Sequence, residues 1–434
     1  MKKHVLAFIA LVCSLTASAH DFEVNGIYYN ITSEADKTVE VTYTGDEYWS
    51  YNDYSGSITL SATVTYNGVE YSVTSIGDYA FRECSSLTDI TIPEGVTSIG
   101  GSAFTGCSNL TSITIPEGVM SIGEESFTYC SGLSSITLPE GVTSIGGSAF
   151  RGCSSLTSIT IPESVTSIGE YAFDECRSLT SINVPENSKL TSIGEYAFYY
   201  CRSLTSITIP DGVAWIGERT FEGCSSLTSI TIPESVTRFG SYAFCDCSSL
   251  TSIDIPDGVD WIGEGAFWRC SSLTTINIPD GVAWIMDYAF QNCYSLRSIT
   301  LPASVSYIGD YAFDWCYNLT TINIPERVTR VELGAFRQCS SLKSITLPAS
   351  VEYLDDMAFA RSGLKEITSL ATEAPRLGIA VFDGLNDVKI NHLTGSNFST
   401  WKAALAPKAD VNGDGEVDVA DITAVIKTIK EREQ

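Results

Sequence analysis

The sequence predicts a solenoid, in which short strands and one helical turn recur in every rung of about 23 residues. The apolar positions, a proline turn and a phenylalanine return in the same order throughout the repeat region. A fixed period of this length is typical of proteins whose repeats stack in one dimension. The period is marked by cysteines, which recur at a constant interval with one slightly longer step: Cys84, Cys107, Cys130, Cys153, Cys176, Cys201, Cys224, Cys247, Cys270, Cys293, Cys316 and Cys339.

The rung from Leu110 to Cys130 shows why each element is expected. Leu110–Ile115 has the pattern L-x-x-I-x-I, whose last three residues alternate as in a half-buried strand. Pro116–Gly118 predicts a turn, because proline presets φ and glycine tolerates positive φ. Val119–Ile122 predicts a second short strand. Phe127–Cys130 places two apolar residues at i and i+3, which favours a single helical turn.

The repeating cysteines are expected to form a buried ladder of thiols. Equivalent positions on stacked rungs lie roughly 4.8 Å apart with parallel side chains, whereas a disulfide prefers converging Cβ atoms about 3.5–4.5 Å apart. Free cysteine commonly packs as a small apolar residue. Cys245 lies two residues before Cys247 and off this ladder, and we expect it to be the exposed thiol.

The rung pattern L-x-x-I-x-I-P-E-G-V-x-x-I-G-x-x-A-F-x-x-C resembles the BspA-like leucine-rich repeat of bacterial surface proteins. It extends over residues 74–368, about 13 rungs. The resemblance implies a right-handed leucine-rich repeat solenoid. It also implies adhesion at the cell surface, through the solenoid, to host or neighbouring-cell proteins.

The two flanks of the repeat region predict caps. Residues 20–73 contain several β-forming segments and the hairpin signal Asn67-Gly68, and predict an N-terminal β cap. Residues 369–407 predict an irregular C-terminal cap with a short helix near Phe398–Leu405.

Residues 1–19 predict a signal peptide. Lys2 and Lys3 precede the apolar stretch Val5–Leu15, and Ala17–Ala19 forms an A-x-A cleavage site. We therefore expect a secreted or extracellular cell-surface protein, with no membrane insertion after the leader is removed. The net charge of −27 argues against nucleic acid and anionic lipid surfaces as partners.

Residues 408–434 predict a calcium loop followed by a helix. Oxygen-bearing side chains occupy loop positions 1, 3, 5, 9 and 12, position 7 contributes a backbone carbonyl, and a glycine stands at position 6. The residues are Asp410, Asn412, Asp414, Glu416, Asp418 and Asp421. The loop resembles a type I dockerin repeat, which implies Ca²⁺ and a cohesin-like partner. It departs from that family because only one loop is present where a full dockerin has two.

One column of the repeat changes its residue type along the chain. In the early rungs, the residue before the second-strand isoleucine is a serine: Ser98, Ser121, Ser144, Ser167 and Ser192. In the later rungs it becomes what we call the aromatic–arginine ladder: Trp215, Arg238, Trp261, Trp284, Tyr307, Arg330 and Tyr353. The position is expected to face solvent, where such residues often anchor an extracellular protein or glycan ligand. The alternative is that the side chains cover one another and stabilise the stack.

No constellation in the sequence predicts catalysis, so we expect a protein that is not an enzyme. Its histidines are His4, His20 and His392, and none belongs to a catalytic pattern. The sequence favours a secreted or cell-surface bacterial binding protein, an adhesin. The alternative is a non-catalytic component of a glycan-handling assembly, tethered through the dockerin-like tail.

Overall fold

The computed structural model describes residues 20–44, 54–393 and 397–405. The predicted solenoid is confirmed, with about 14 turns of about 23 residues. The predicted signal peptide at 1–19 and the predicted calcium loop with its helix at 408–434, including Asp410, Asn412, Asp414, Glu416, Asp418 and Asp421, lie outside the described residues. Within those described ranges, no helix is long and apolar enough to cross a lipid bilayer.

Most rungs contribute one strand to each of two faces of the solenoid, and on the first face two rungs are joined only by an isolated parallel bridge between Asp254 and Asn277. The N-terminal strands are β1 (Phe22–Val24), β2 (Ile27–Ser33), β3 (Thr38–Thr42), β4 (Gly56–Thr59), β5 (Thr63–Tyr66) and β6 (Val69–Ile76). The first face consists of β7 (Leu87–Thr91), β9 (Ser112–Thr114), β11 (Ser135–Thr137), β13 (Ser158–Thr160), β15 (Ser181–Asn183), β17 (Ser206–Thr208), β19 (Ser229–Thr231), β23 (Ser298–Ile299), β25 (Thr321–Ile322), β27 (Ser344–Leu347), β29 (Glu366–Ser369) and β31 (Lys389–His392).

The second face consists of β8 (Ser98–Ile99), β10 (Ser121–Ile122), β12 (Ser144–Ile145), β14 (Ser167–Ile168), β16 (Ser192–Ile193), β18 (Trp215–Ile216), β20 (Arg238–Phe239), β21 (Trp261–Ile262), β22 (Trp284–Ile285), β24 (Tyr307–Ile308), β26 (Arg330–Val331), β28 (Tyr353–Leu354) and β30 (Arg376–Leu377). Neighbouring strands run parallel, and equivalent residues pair, so that Ile122 lies between Ile99 and Ile145. These isoleucines point into the core, and the residue before each one points outward.

A column of stacked phenylalanines forms the centre of the core. It runs from Phe81 to Phe382, one ring per rung, with successive ring centroids 5.1–6.3 Å apart. Burial of each ring contributes about 1.5–3 kcal/mol, and offset stacking adds about 0.5–1.5 kcal/mol per pair. The column is therefore a large contribution to the free energy that holds the rungs together.

The cysteine ladder lies beside this column and is buried as predicted. The described cysteines are free thiols. From Cys107 to Cys339, each ladder thiol donates a hydrogen bond to the carbonyl oxygen of the preceding rung's phenylalanine, at 3.0–3.2 Å. The small size of cysteine and its weak S–H donor suit a site that faces a buried carbonyl group.

The expectation of an exposed thiol at Cys245 was wrong. Its side chain is buried at 2% relative exposure, and burial raises the pKa of the thiol above its ordinary range. The residue follows Phe244, at the position that Glu222 and Trp268 occupy in the neighbouring rungs. Side chains of adjacent rungs at this position cover one another. The expectation of exposure rested only on the fact that Cys245 lies outside the cysteine ladder, which does not indicate this cover.

The predicted helical turn was also wrong, because the third side of each rung is a chain of tight turns. In the rung ending at Cys130, Glu125 and Tyr129 adopt left-handed φ values of 56° and 57°. The amides of Glu125, Phe127 and Tyr129 donate to carbonyls of the next rung at 2.7–2.8 Å, and the amides between them close turns within the rung. A helical turn would direct its amides to its own carbonyls. We call this surface the turn side.

Four left-handed tyrosines on the turn side are each followed one rung later by a glycine. Tyr129 lies over Gly152, where an added Cβ atom would stand 2.4 Å from Cδ1 of the ring. The pairs Tyr200–Gly223, Tyr242–Gly265 and Tyr311–Gly334 repeat this arrangement. A tyrosine ring thus occupies the space that a side chain at the next rung would need.

The N-terminal strands extend both faces of the solenoid. Strands β1, β2 and β3 pair antiparallel, and β3 then pairs in parallel with β6 at the start of the second face. Strand β4 pairs in parallel with β7 of the first face. The hairpin predicted at Asn67-Gly68 is present between β5 and β6, and both turn residues have positive φ, as a two-residue hairpin requires.

The C-terminal flank is more regular than predicted, since rung-like pairing continues beyond residue 368. Ile390 of β31 pairs with Ile367 of β29, and Phe382 continues the phenylalanine column. The helix predicted near Phe398–Leu405 is confirmed as α1 (Ser399–Leu405). Trp401 of this helix is buried against Phe382 and donates from Nε1 to the Pro375 carbonyl oxygen at 2.9 Å.

The pairing of Tyr129 with Gly152 predicts that Gly152→Ala lowers the free energy of unfolding by about 2–3 kcal/mol, because backbone strain and a side-chain clash add. Gly26→Ala is the matched control: its φ is also positive, at 81°, but nothing lies within 4 Å of the added atom. It should cost about 1 kcal/mol. Denaturant unfolding followed by circular dichroism measures both values, and equal losses would contradict the proposed close approach.

Candidate binding surface

The aromatic–arginine ladder occupies the first position of successive second-face strands. Each ladder residue precedes an apolar residue that is at most 1% exposed, so the ladder residue points outward. Trp215, Trp261 and Trp284 are 39%, 37% and 43% exposed, which is high for tryptophan in a folded protein. The predicted orientation of this column is therefore found in the structure.

The structure adds a residue that sequence reasoning missed. Arg376 is the first residue of β30 and pairs in register with Tyr353. The triplet Arg376-Leu377-Gly378 matches Trp215-Ile216-Gly217 in its pattern of residue types, and this signal could have extended the ladder by one rung.

The tryptophans of the ladder do not stack on one another. Trp261 and Trp284 pair in register, yet among the described residues their rings share none of the ring contacts that join successive phenylalanines. The arginines behave differently, because Arg238 lies 5.7 Å from the centre of the Trp261 ring and Arg330 lies 4.7 Å from that of Tyr353. Two arginines of the ladder thus cover neighbouring rings, as the stacking alternative expects, while the three tryptophans remain 37–43% exposed.

Hydrogen bonds fix two members of the ladder. Tyr307 donates from its hydroxyl to Oδ1 of Asp287 at 3.2 Å, and burial raises its pKa above the ordinary range. Arg330 pairs with Glu332 at 2.7 Å and with Asp355. Burial alone would raise the pKa of Asp355, but the hydrogen bond from Arg330 lowers it below its usual value.

The first face offers little chemical variety. Its outward residues are serines and threonines over many rungs, as in Ser112–Thr114 and Ser158–Thr160. Threonine hydroxyls along this face donate to the carbonyl of the equivalent residue one rung earlier; Thr180, for example, donates to Thr157 at 3.0 Å. These hydroxyls thus contribute to the hydrogen bonding between rungs.

The turn side is a second aromatic surface, which the sequence analysis did not single out. Its tyrosines and arginines contact one another and buried acids. Arg151 lies 6.0 Å and 5.5 Å from the ring centres of Tyr129 and Tyr171, and its Nε lies 2.9 Å from Oδ2 of Asp174. Arg337 likewise pairs with buried Asp314 at 2.8 Å. Because these cations already have partners, the ladder on the second face is the stronger candidate for binding.

Within the described ranges, no cluster of three histidine, cysteine or acidic side chains is placed to hold a metal ion. The residues predicted to bind calcium lie outside those ranges.

The fold and its repeat define the class: a solenoid of leucine-rich repeats. The family model for the BspA type leucine rich repeat region matches residues 60–180, 143–274 and 261–389. These ranges together span more than half of the chain, which belongs to this family.

The chain is also similar to solved structures. A leucine-rich repeat protein from Bacteroides ovatus ATCC 8483 is 32% identical, with 77% of this chain and 96% of that chain covered and a TM-score of 0.51. A leucine rich cell surface protein from Faecalibacterium prausnitzii A2-165 is 27% identical, with 88% and 97% covered and a TM-score of 0.46. The pneumococcal vaccine antigen PcpA is 17% identical, with 86% and 98% covered and a TM-score of 0.52, and supports the fold alone. A search of curated protein sequences finds no match.

Asp174 predicts a pH dependence of stability. Burial raises its pKa from 3.8 to about 6, although Arg151 opposes the shift. The folded state therefore holds this proton more tightly than the unfolded state, and the stability contributed by protonation is lost as pH rises from about 4 to 6. In the Asp174→Asn variant, the free energy of unfolding should lose up to about 3 kcal/mol of its change between low and neutral pH.

Denaturant unfolding at pH 4 and pH 7 measures the effect as the difference between wild type and variant. Glu117→Gln, at an exposed carboxylate, is the control and should follow the wild-type pH dependence. A wild-type pH dependence in Asp174→Asn would show that burial of this carboxyl does not couple to folding.

Proposed function

We propose that the protein is an exported, cell-surface binding protein that recognises a partner protein through the aromatic–arginine ladder of its second face. The observation that carries the proposal is the exposure of Trp215, Trp261 and Trp284 along one column. Tryptophan, tyrosine and arginine dominate the residues that contribute most to protein–protein binding. The ladder concentrates these three types where the rest of the repeat supplies serine.

The scaffold supports binding rather than catalysis. Every strand of the repeat is fixed by the rungs before and after it, so ladder side chains extend from a surface that is ordered before the partner arrives. Such preorganisation lowers the entropic cost of association. We propose no catalytic activity, because the polar columns of the repeat follow from stacking and assemble no nucleophile with a base among the described residues.

Export and surface location rest on the sequence of residues 1–19 and on the family. Lys2-Lys3, the apolar stretch Val5–Leu15 and the A-x-A site support cleavage near His20. The surface adhesion that the family resemblance implies is consistent with this route.

The ladder predicts that replacing Trp215, Trp261 and Trp284 together by alanine weakens binding at least tenfold, because each ring contributes buried contact area. Purified host extracellular matrix proteins and a panel of glycans are the probes, with affinity measured by surface plasmon resonance. The matched control replaces Ser98, Ser121 and Ser144 of the same column by alanine and should bind as wild type. Undiminished binding by the tryptophan variant would remove the ladder as the site.

We also propose that the loop at Asp410–Asp421 binds Ca²⁺. Calcium titration of the full chain by calorimetry should give one site, and Asp410→Ala with Asp414→Ala should abolish it because two carboxylate ligands are lost. Glu117→Ala is the control for loss of surface charge. Unchanged calcium binding in the double variant would contradict the assignment.

The variant changed at Asp410 and Asp414 also tests the alternative function, in which the dockerin-like tail tethers the protein to an assembly. If the protein belongs to a glycan-handling assembly, a cohesin should capture the wild-type chain in calcium and fail to capture the variant changed at Asp410 and Asp414. A surface adhesin instead binds its ligand equally with and without this loop.

A further inference from the structure

The C-terminal end of the ladder is a shallow depression that contains two arginines. It has a volume of about 380 Å³ and is lined by Thr329, Arg330, Glu352, Tyr353 and Arg376. Tyr353 pairs in register with Arg330 on one side and with Arg376 on the other. The guanidinium carbons lie 4.7 Å and 6.0 Å from the centre of the tyrosine ring. The ring is therefore placed between two cationic groups.

The two arginines differ in how their charge is compensated. Arg330 is held by Glu332 and Asp355, two carboxylates for one cation. Arg376 makes no ion pair and no side-chain hydrogen bond with the described residues; its guanidinium contacts the Tyr353 ring. In a chain with a net charge of −27, an exposed guanidinium that has no carboxylate partner among the described residues and lies next to an aromatic ring is well suited to bind an anion.

We infer that Arg376, with Tyr353 beside it, binds a carboxylate of an extended acidic segment in the partner protein. The planar guanidinium matches a carboxylate in two parallel hydrogen bonds, and contact with the ring limits its freedom before binding. Arg330 is already neutralised, so it supports Tyr353 and does not compete for the ligand. This inference rests on the proposed function, and it names one chemical group that the ladder recognises.

The surrounding charges restrict the ligand to a single negative group at this point. Glu352 lines the same depression and would repel a second charge in close contact, and the overall negative charge of the chain disfavours polyanions. A peptide with one acidic side chain among apolar neighbours fits these conditions. Its other residues would contact Tyr307 and Trp284, which lie further along the ladder toward the N-terminus.

The probe is a positional-scanning library of amidated decapeptides, screened against the fluorescently labelled full chain. Wild type should enrich aspartate or glutamate at one position. The selected peptide and its asparagine or glutamine counterpart are then compared by fluorescence anisotropy. Arg376→Gln should weaken binding of the acidic peptide at least tenfold and leave the amide counterpart unchanged.

Arg297→Gln is the matched control, because Arg297 is an exposed arginine of the first face, and its loss changes the net charge equally. Wild-type affinity is expected for it. The inference is overturned if the library shows no acidic preference, if Arg376→Gln keeps the preference, or if Arg297→Gln loses as much. It is also overturned if Arg376 is needed for preferential binding of sialyl-lactose over lactose but is not needed for binding of peptides. That result would indicate an acidic glycan as the ligand.

The test separates this inference from the proposed function. Suppose that peptides bind without an acidic preference and that this binding is lost when the three tryptophans are changed. The ladder would then remain the binding surface, and only the carboxylate site would be removed. Peptides that need Arg376 but bind equally to the tryptophan variant would leave the carboxylate site and show that the three tryptophans, which carry the proposed function, are not part of the binding surface. A circular dichroism melt of each variant verifies that it is folded.

Discussion

The structure depends on hydrogen bonding between successive rungs. Strands as short as those of the repeat are not stable alone, and each becomes stable because the rungs before and after it occupy the same register. The turn side adds to this bonding, since alternate amides donate to the next rung and the others close turns. The phenylalanine column and the thiols fill the interior that these bonds enclose. Side-chain identity on the outside is then free to vary, as the change from serine to tryptophan along one column illustrates.

Most of the fold could be predicted because the same pattern of residues recurs in every rung. The inward isoleucines, the phenylalanine column and the buried cysteines each follow from a period that is visible in the sequence, and Asn67-Gly68 is a local hairpin signal. The turn side could not be predicted in this way. Phe127 and Cys130 have helical spacing, but the conformation is decided by carbonyls that belong to the following rung and are distant in sequence. The burial of Cys245 and the contacts of Arg376 could not be predicted for the same reason, because the residues around each side chain belong to neighbouring rungs.

The candidate binding surface could be predicted only in part, because some of its features depend on contacts between rungs. Its outward orientation follows from the alternation of a strand, so the sequence located every member of the ladder except Arg376. Whether Trp261 and Trp284 cover each other depends on side-chain conformations that the pattern does not specify. The ion pairs of Arg330 depend on Glu332 and Asp355, which the pattern of the ladder column does not indicate, and the same holds for the lack of a carboxylate partner for Arg376 in the part of the chain that the structure describes.

The turn side has an electrostatic consequence. Its inter-rung bonds point one way, with amide N–H groups directed toward the C-terminal end of the stack and C=O groups toward the N-terminal end, as at Phe127 and Ala149. Peptide dipoles aligned head to tail add, as they do in a helix. The turn side is therefore polar along its length, and its end near Phe382 carries partial positive charge on an otherwise acidic protein. These aligned dipoles give the stack a direction that its sequence repeat alone does not.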